Sequence, residues 1–398
     1  MLNKIIHNVT LAGDIRRDLL LRDGQFAAIA EAGKLENSSD AEILDGTGFL
    51  LLPPLVDAHA HLDKTMLGMK WFHNNLEALL SERIANERES RKSIGLDSCT
   101  QAGKLIERSI SMGTLAMRSH VDVDTVNGLS CLEGVLEARE KYKEYFFTEL
   151  VAFPQSGLVS RPGTIELMEE ALRMGADLVG GIDPAAVDRD PKGSVQAIFS
   201  LAEHFDKGVD IHLHEPGELG AFTMELIADH TIASGLQGRV TISHAFCLGK
   251  LEEARANSLL ELLAEAGIQV TTGGQAYVPA VPSVKQLLDA GVNVCGGNDN
   301  VRDMWSPYGT GDMIERAQLI AMRNGFRRDE DLELALKICT ENGAKLLQLE
   351  EYGISEGNSA DFLLVCAENV AECVAAGPKE RQVFKAGVLI AENGNYLA

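Results

Sequence analysis

The sequence predicts an α/β protein: a (β/α)8 TIM barrel carrying a small β-sandwich domain built from both chain termini. Three observations carry that expectation. The middle of the chain alternates amphipathic helices with short strands that are apolar on both faces, the pattern of a parallel sheet covered by helices. Strand candidates of this kind number eight, the count that closes a barrel. Both ends of the chain, by contrast, read as strands and turns alone.

The first fifty residues divide into KIIHNVTL, DLLLRDGQFAAIAEAG and EILDGTGFLLLP, punctuated by Gly and Asp turns. The last stretch has the same character in ADFLLVCAE, RQVFKAGVLIA and NGNYLA. Residues 1–50 and 352–398 are therefore expected to pair into one composite β domain, with 51–351 forming the catalytic barrel. Two separate β caps are the alternative, and they would leave more unpaired edges.

Within the barrel region the first strand candidate is LLLPPLVDAHAH. Five helix–Gly–strand units then recur. Helix QAGKLIERSISM ends at Gly113 before TLAMRSHVDVD, and TIELMEEALRM ends at Gly175 before ADLVGGIDP. The same junction falls at Gly208 before VDIHLHE, at Gly267 before IQVTTGGQ and at Gly291 before VNVCGGNDN. Glycine suits the left-handed position that ends a helix, and Ala102, Leu105, Ile106 and Ile110 keep the spacing of one buried helix face. FTELVAFPQ and RVTISHAF complete the eight. An open doubly wound sheet is the competing architecture, but it does not explain why nearly every strand closes on His, Asp, Glu or Gln. In a barrel those C-terminal ends converge on one site.

Bulk properties restrict the function classes. Lys and Arg number 36 against 59 Asp and Glu, a formal net charge of −23, which repels phosphate backbones and argues against a nucleic-acid partner. No stretch approaches the roughly 20 continuous apolar residues of a membrane span, and the first residues lack the form of a signal peptide. The seven cysteines are scattered without a CxxC pair, as expected of reduced thiols in a cytoplasmic protein. A neutral free heterocyclic base or other small uncharged molecule is not excluded as the partner, and an oligomer of identical chains is expected.

The chemistry-bearing residues cluster at strand ends. His59 and His61 close the first strand, and residues i and i+2 of a strand share a face, so both imidazoles point into the barrel mouth. His212 and His214 repeat that spacing in DIHLHE, followed by Glu215; His244 closes VTISHAF and Asp299 closes NVCGGNDN. Imidazoles with one carboxylate suit a single divalent ion, Zn²⁺ or Fe²⁺, with a position left open for water. A lone strand-end histidine is more often a satisfied polar residue than a ligand, but this many in barrel order point to a metal. His7, His73, His204 and His230 are read as ordinary surface or core histidines.

This set resembles the amidohydrolase superfamily in its single-metal deaminase branch. The resemblance implies His59, His61, His212 and Asp299 as metal ligands and His244 as a catalytic group beside them. Two-metal members carry a bridging Lys or Glu at the end of the fourth strand, and DLVGGIDP has neither. The stretches HVDVD, VAFPQSG, HLHE and DNVRDMWSPYGTGDM are similar to bacterial cytosine deaminases and to the N-isopropylammelide hydrolases. Glu215 stands at the cytosine-deaminase proton shuttle, whereas Lys64, His214 and Asn300 look more like the triazine branch.

What the resemblance implies is deamination of cytosine or a 5-substituted cytosine. The alternative is release of an alkylamine from a hydroxylated s-triazine, and a non-catalytic scaffold fits poorly because every ligand position is filled. Asp299 would take a proton from the attacking water, Glu215 would protonate the neighbouring ring nitrogen, and His244 would hydrogen-bond the attacking oxygen. Glu215 is preferred over Glu218 because it abuts the ligand strand. Gln155 offers the donor and acceptor that match a pyrimidinone edge. Phe153 and Trp305 are candidate walls for a flat ring, with plain packing as the alternative for each. Lys64 touches substrate or pairs with a carboxylate. Asp303 is expected to brace a loop, and His120 and Asp122 to orient a ligand.

Overall fold

The computed structural model describes residues 3–74 and 79–398. Eight parallel strands follow one another in chain order around the barrel: Leu55–Ala60, Thr114–Asp122, Phe147–Phe153, Leu178–Ile182, Gly208–His212, Val240–Ser243, Gln269–Thr272 and Val294–Gly296. Helices return the chain between most of them, and several start where the sequence supplies a cap. Asp97, Asp190 and Ser283 each accept a backbone N–H from the first turn, and Pro191 opens the helix after Asp190 without losing a bond.

The eighth strand closes the barrel against the first. Asp299 donates its backbone N–H to His59 O at 2.7 Å, and Ala60 and Asp299 form a parallel bridge. Gly297 allows this approach, because a Cβ there would lie 2.5 Å from His59 Cβ and 2.7 Å from His59 N. Barrel closure therefore sets two of the candidate ligands side by side.

The strands at the two ends of the chain join one nine-stranded sheet. Asn3–Leu11 pairs antiparallel with Ile15–Arg22 and parallel with Ala41–Asp45, and Phe49–Leu52 pairs antiparallel with Phe362–Cys366. Side-chain alternation sorts its two faces. Leu51, Phe362 and Leu364 join Ile6, Leu19, Phe26 and Phe384 in the sheet's own core, while Leu50, Leu52, Leu363 and Val365 pack into the barrel core. A buried fork adds to the contact: Arg381 Nη1 and Nη2 donate to Asp312 Oδ1 and Oδ2 at 2.8 and 2.9 Å, and Asp312 caps the Met313–Arg323 helix.

Several helices have no counterpart in the sequence expectations, two of them outside the barrel's repeating units. Leu80–Ser93 precedes the second strand's helix, and Val370–Ala376 interrupts the terminal strands. Among the described residues no helix is long and apolar enough to cross a membrane, and the seven cysteines are all free.

Candidate metal centre and active-site cavity

His59, His61, His212 and Asp299 each offer a ligand atom, and these atoms lie within 4.8 Å of one another. Strand geometry brings them together: His59 and His61 are two apart at the first strand's end, His212 ends the fifth, and Asp299 follows the eighth. Asp299 Oδ1 stands 3.5 Å from His59 Nε2 and 3.4 Å from His61 Nε2. Burial alone would push the Asp299 carboxyl up, but its contacts with the His59 and His61 rings hold it well below the usual carboxylate range. Burial, aided by the nearby Lys64 charge, brings His61 down to about 4, and burial among other imidazoles lowers His212. His61 and His212 thus favour the neutral imidazole beside an anionic Asp299.

The residues fit a divalent cation. His59 Nε2 and both ring nitrogens of His212 are buried without a hydrogen-bond partner, which costs free energy unless something else pairs with them. Proton accounting at His59 agrees. Ser243 Oγ donates to Asp210 Oδ1 at 2.7 Å, so its lone pairs are left to accept from His59 Nδ1–H at 2.9 Å and from Thr271 at 2.9 Å. Nε2 is then the bare nitrogen, turned to the ligand cluster. Beneath it, His120 lies with its ring centroid 4.3 Å from that of His59 and 4.5 Å from that of His212, its Nε2 3.3 Å from Asp210.

A cavity of about 430 Å³ opens above the cluster, lined by His61, His212, His214, His244 and Asp299 together with Phe153, Gln155, Asn300 and Trp305. Leu80, Phe246, Val278, Pro279 and Ala280 supply an apolar side. Phe153 stacks on His212 with centroids 4.2 Å apart. Three polar residues here hold strained backbone, with φ of +75° at His244, +60° at Asp299 and +36° at Asp183.

Two of the expected site residues do not line the cavity. Glu215 is absent from the cavity wall, whereas His214, two residues beyond His212, lines it. Glu215 Oε1 accepts the backbone N–H groups of Ala185 and Ala186 at 2.7 and 2.9 Å, and Oε2 accepts the Thr223 hydroxyl. Its carboxylate braces the loop after the fourth strand, and the expected proton shuttle does not fit that placement. Lys64 is likewise turned away from the cavity. It is fully buried, with Nζ 2.8 Å from Asp122 Oδ1 and 2.8 Å from Gln155 Oε1, so of its two expected roles the structure gives carboxylate pairing.

Gln155 remains on the cavity wall with its amide already oriented, Oε1 toward Lys64 and Nε2 toward Glu87. One N–H and one lone pair are left for a ligand. Asn300 donates to Asp303 Oδ2 at 2.7 Å, and Asp303 Oδ1 accepts from Trp305 N and Ser306 N, a brace for the loop after the eighth strand. Burial pushes the Asp303 carboxyl up to about 7. Asp122 meets Lys64 and orients it, not a metal ligand.

Two site residues were not singled out from the sequence. Asp183, ending the fourth strand, accepts His214 Nδ1–H at 2.7 Å on Oδ2 and the His214 and Glu215 backbone N–H groups on Oδ1. Burial opposes protonation of His214, but the Asp183 carboxylate outweighs it and raises the imidazole above its ordinary value. Gln275, after the seventh strand, places Nε2 3.2 Å from Asp299 Oδ2 and 3.2 Å from His244 Nδ1. An ionised carboxylate only accepts, so the amide group facing it is NH2; His244 Nδ1 is then an acceptor and its proton sits on Nε2. Both residues obey the strand-end rule that found Asp299.

Residues 113–389 match the Amidohydrolase family. The chain is 32% identical over 383 residues to the N-isopropylammelide isopropyl amidohydrolase of Pseudomonas sp. (strain ADP), covering 90% of each chain. Its structure superposes on that of N-isopropylammelide isopropylaminohydrolase from Burkholderia multivorans ATCC 17616 with a TM-score of 0.95, at 44% identity over the whole of both chains. The 5-methylcytosine deaminase of Klebsiella pneumoniae, liganded with 5-fluorocytosine, gives 0.85 at 30% identity, covering 98% of this chain and 97% of the other.

Proposed function

The chain belongs to the amidohydrolase family, and from that premise we propose that it hydrolyses the bond between a six-membered oxo-N-heterocycle and an exocyclic amine, releasing a small alkylamine from an N-alkylamino s-triazine such as N-isopropylammelide. The single observation that carries this reading is His214 on the cavity wall with Asp183 behind it, an imidazole whose proton affinity that carboxylate raises, where a cytosine-type carboxyl shuttle was expected. The 44% identity to the Burkholderia enzyme supports the same substrate class. So does the room available. Even at water's liquid share of about 30 Å³ per heavy atom, a cytosine of eight heavy atoms would fill under about 240 Å³. The cavity holds about 430 Å³ and has an apolar side for an alkyl group.

In this mechanism His59, His61, His212 and Asp299 would hold one divalent ion, Zn²⁺ or Fe²⁺, with Asp299 also the base. When bound, such an ion acidifies water to a pKa of about 7 and so supplies hydroxide at neutral pH. Asp299 accepts the proton of the attacking water. His214 protonates the ring nitrogen beside the carbon under attack, which makes that carbon electrophilic. The His244 Nε2–H hydrogen-bonds the attacking oxygen as negative charge builds on it. The proton held by Asp299 then passes to the exocyclic nitrogen, the C–N bond breaks and the amine leaves; the added hydroxyl gives up its proton, which restores the His214 imidazolium, and a ring carbonyl remains.

Deamination of cytosine or 5-methylcytosine is the second reading, favoured by the Gln155 amide on the cavity wall and by the similarity to the Klebsiella deaminase. Purified metal-loaded protein should be given N-isopropylammelide, cytosine and 5-methylcytosine side by side, with isopropylamine and ammonia quantified separately. Turnover of the pyrimidines alone overturns the alkylamine assignment.

A further inference from the structure

We propose that Glu87 is the positioning residue that fixes Gln155 and Trp305, two residues of the cavity wall, and thereby sets which edge of the heterocycle is read. The inference rests on the proposed heterocycle hydrolysis for its kinetic arm only. Glu87 lies on the Leu80–Ser93 helix, whose buried positions are Ile84, Glu87 and Arg91, a stripe at helical spacing that is mostly charged. Such a helix gains little from apolar docking, so its seat on the barrel is set by where these charges find partners.

One oxygen gathers those partners. Glu87 Oε2 accepts Trp305 Nε1–H at 2.5 Å, accepts Gln155 Nε2–H, and stands 3.4 Å from Lys64 Nζ. The three donors come from the loops after the eighth, third and first strands. Trp305 has a single polar atom and it only donates, so Glu87 is what fixes the rotation of the indole about the cavity wall. Gln155 is held between opposite demands: the Lys64 ammonium requires its carbonyl and the Glu87 carboxylate requires its NH2, so the amide cannot flip. Arg91 Nη1 lies 3.5 Å from Glu87 Oε1 and 3.7 Å from Asp122 Oδ2, completing a buried cluster of Lys64, Arg91, Glu87, Asp122 and Asp63. Burial pushes the Glu87 carboxyl up, but Lys64, Arg91 and the two hydrogen-bond donors outweigh it and keep the group ionised.

The test uses the chain's two tryptophans. Trp71→Phe leaves Trp305 as the sole indole, and Trp71 lies 58% exposed, outside the cavity lining. In that background Glu87→Ala removes the acceptor, while Glu87→Gln keeps a carbonyl oxygen for Trp305 and Gln155 without the charge. Glu87→Ala is expected to shift Trp305 emission and to raise KM for N-isopropylammelide roughly ten- to hundredfold, the loss of one or two buried hydrogen bonds. Its kcat should fall less and its metal content should match the parent. Glu87→Gln should restore the emission and most of the KM. Parental emission and KM in Glu87→Ala would overturn the proposal, and so would equal damage in both variants, which would reduce Glu87 to charge balance for Lys64 and Arg91. If the parent turns over neither triazine nor cytosine, the substrate assignment fails, and the emission of the three proteins still decides the role of Glu87.

Discussion

Replacing Asp183 by Asn tests the His214 assignment with little change of shape. The Asn carbonyl can still accept the His214 and Glu215 backbone N–H groups that Asp183 Oδ1 accepts at 2.7 and 3.2 Å, so the loop keeps its anchor. The change falls on the other side, where Asp183 Oδ2 accepts His214 Nδ1–H at 2.7 Å. An amide NH2 there donates instead, which forces Nδ1 to be the acceptor and leaves His214 a neutral imidazole. Losing a general acid typically costs about 10²–10⁴-fold in rate, or about 2.7–5.4 kcal/mol. The His214 side chain is 30% exposed, so water screens part of the lost attraction and the lower end, about 10²-fold, is expected. The alkaline limb of kcat/KM against pH should move to lower pH, since the reactive form is the imidazolium. Stability should follow the same linkage. A raised His pKa stabilises the fold fully below the ordinary value of about 6.5, and that contribution is lost as pH rises through the folded value. The Tm gap between parent and variant should therefore be widest near pH 5–6 and narrow above. Steady-state rates of amine release from pH 5 to 9, with metal content measured alongside, decide it. A variant with parental kcat/KM and an unmoved alkaline limb would refute the acid role of His214.

Glu215→Gln should keep kcat/KM within a few-fold of the parent, and Glu215→Ala should lower stability by about 1–3 kcal/mol by stranding two backbone donors; a collapse of turnover in Glu215→Gln at parental metal content would return the shuttle to this residue. Chelation should lower Tm, and a free divalent ion at a hundred times its Kd should restore about 2.7 kcal/mol. His212→Ala should abolish that response in a thermal melt, and an unchanged response would move the metal elsewhere. Lys64→Met strands Asp122 and Glu87 in a dry cluster and should cost about 3–5 kcal/mol in urea unfolding; a loss under 1 kcal/mol would show that the cluster is not held by its charges.

The barrel and the ligand cluster were legible because both follow from short-range rules. Two-residue periodicity puts His59 and His61 on one face, and the left-handed glycines at Gly113, Gly175, Gly267 and Gly291 mark where four of the strands begin; before the fifth strand Asp206, not Gly208, takes that conformation. The same periodicity already favoured His214 over Glu215, since 214 is two residues beyond His212, but sequence resemblance drew the proton transfer to the neighbouring carboxylate. Asp183 was visible as a strand-end acid and went unassigned because its value lies in its distance to His214, a relation between strands that spacing along one strand does not contain. The Leu80–Ser93 helix was hidden for a different reason. Its inward stripe is Ile84, Glu87 and Arg91, so a search for apolar periodicity finds no face to bury.

The pairing of Phe49–Leu52 with Phe362–Cys366 has a consequence for how the chain is made. The two partners are separated by roughly three hundred residues, and translation at about 5–20 residues per second takes on the order of 15–60 s to supply the second. Throughout that interval the FLLL segment presents an unpaired apolar strand edge outside the ribosome, the kind of edge on which nascent chains aggregate. A strand made late protects one made early, so production of this protein should respond to holdase chaperones and to lower growth temperature more than its closed barrel suggests.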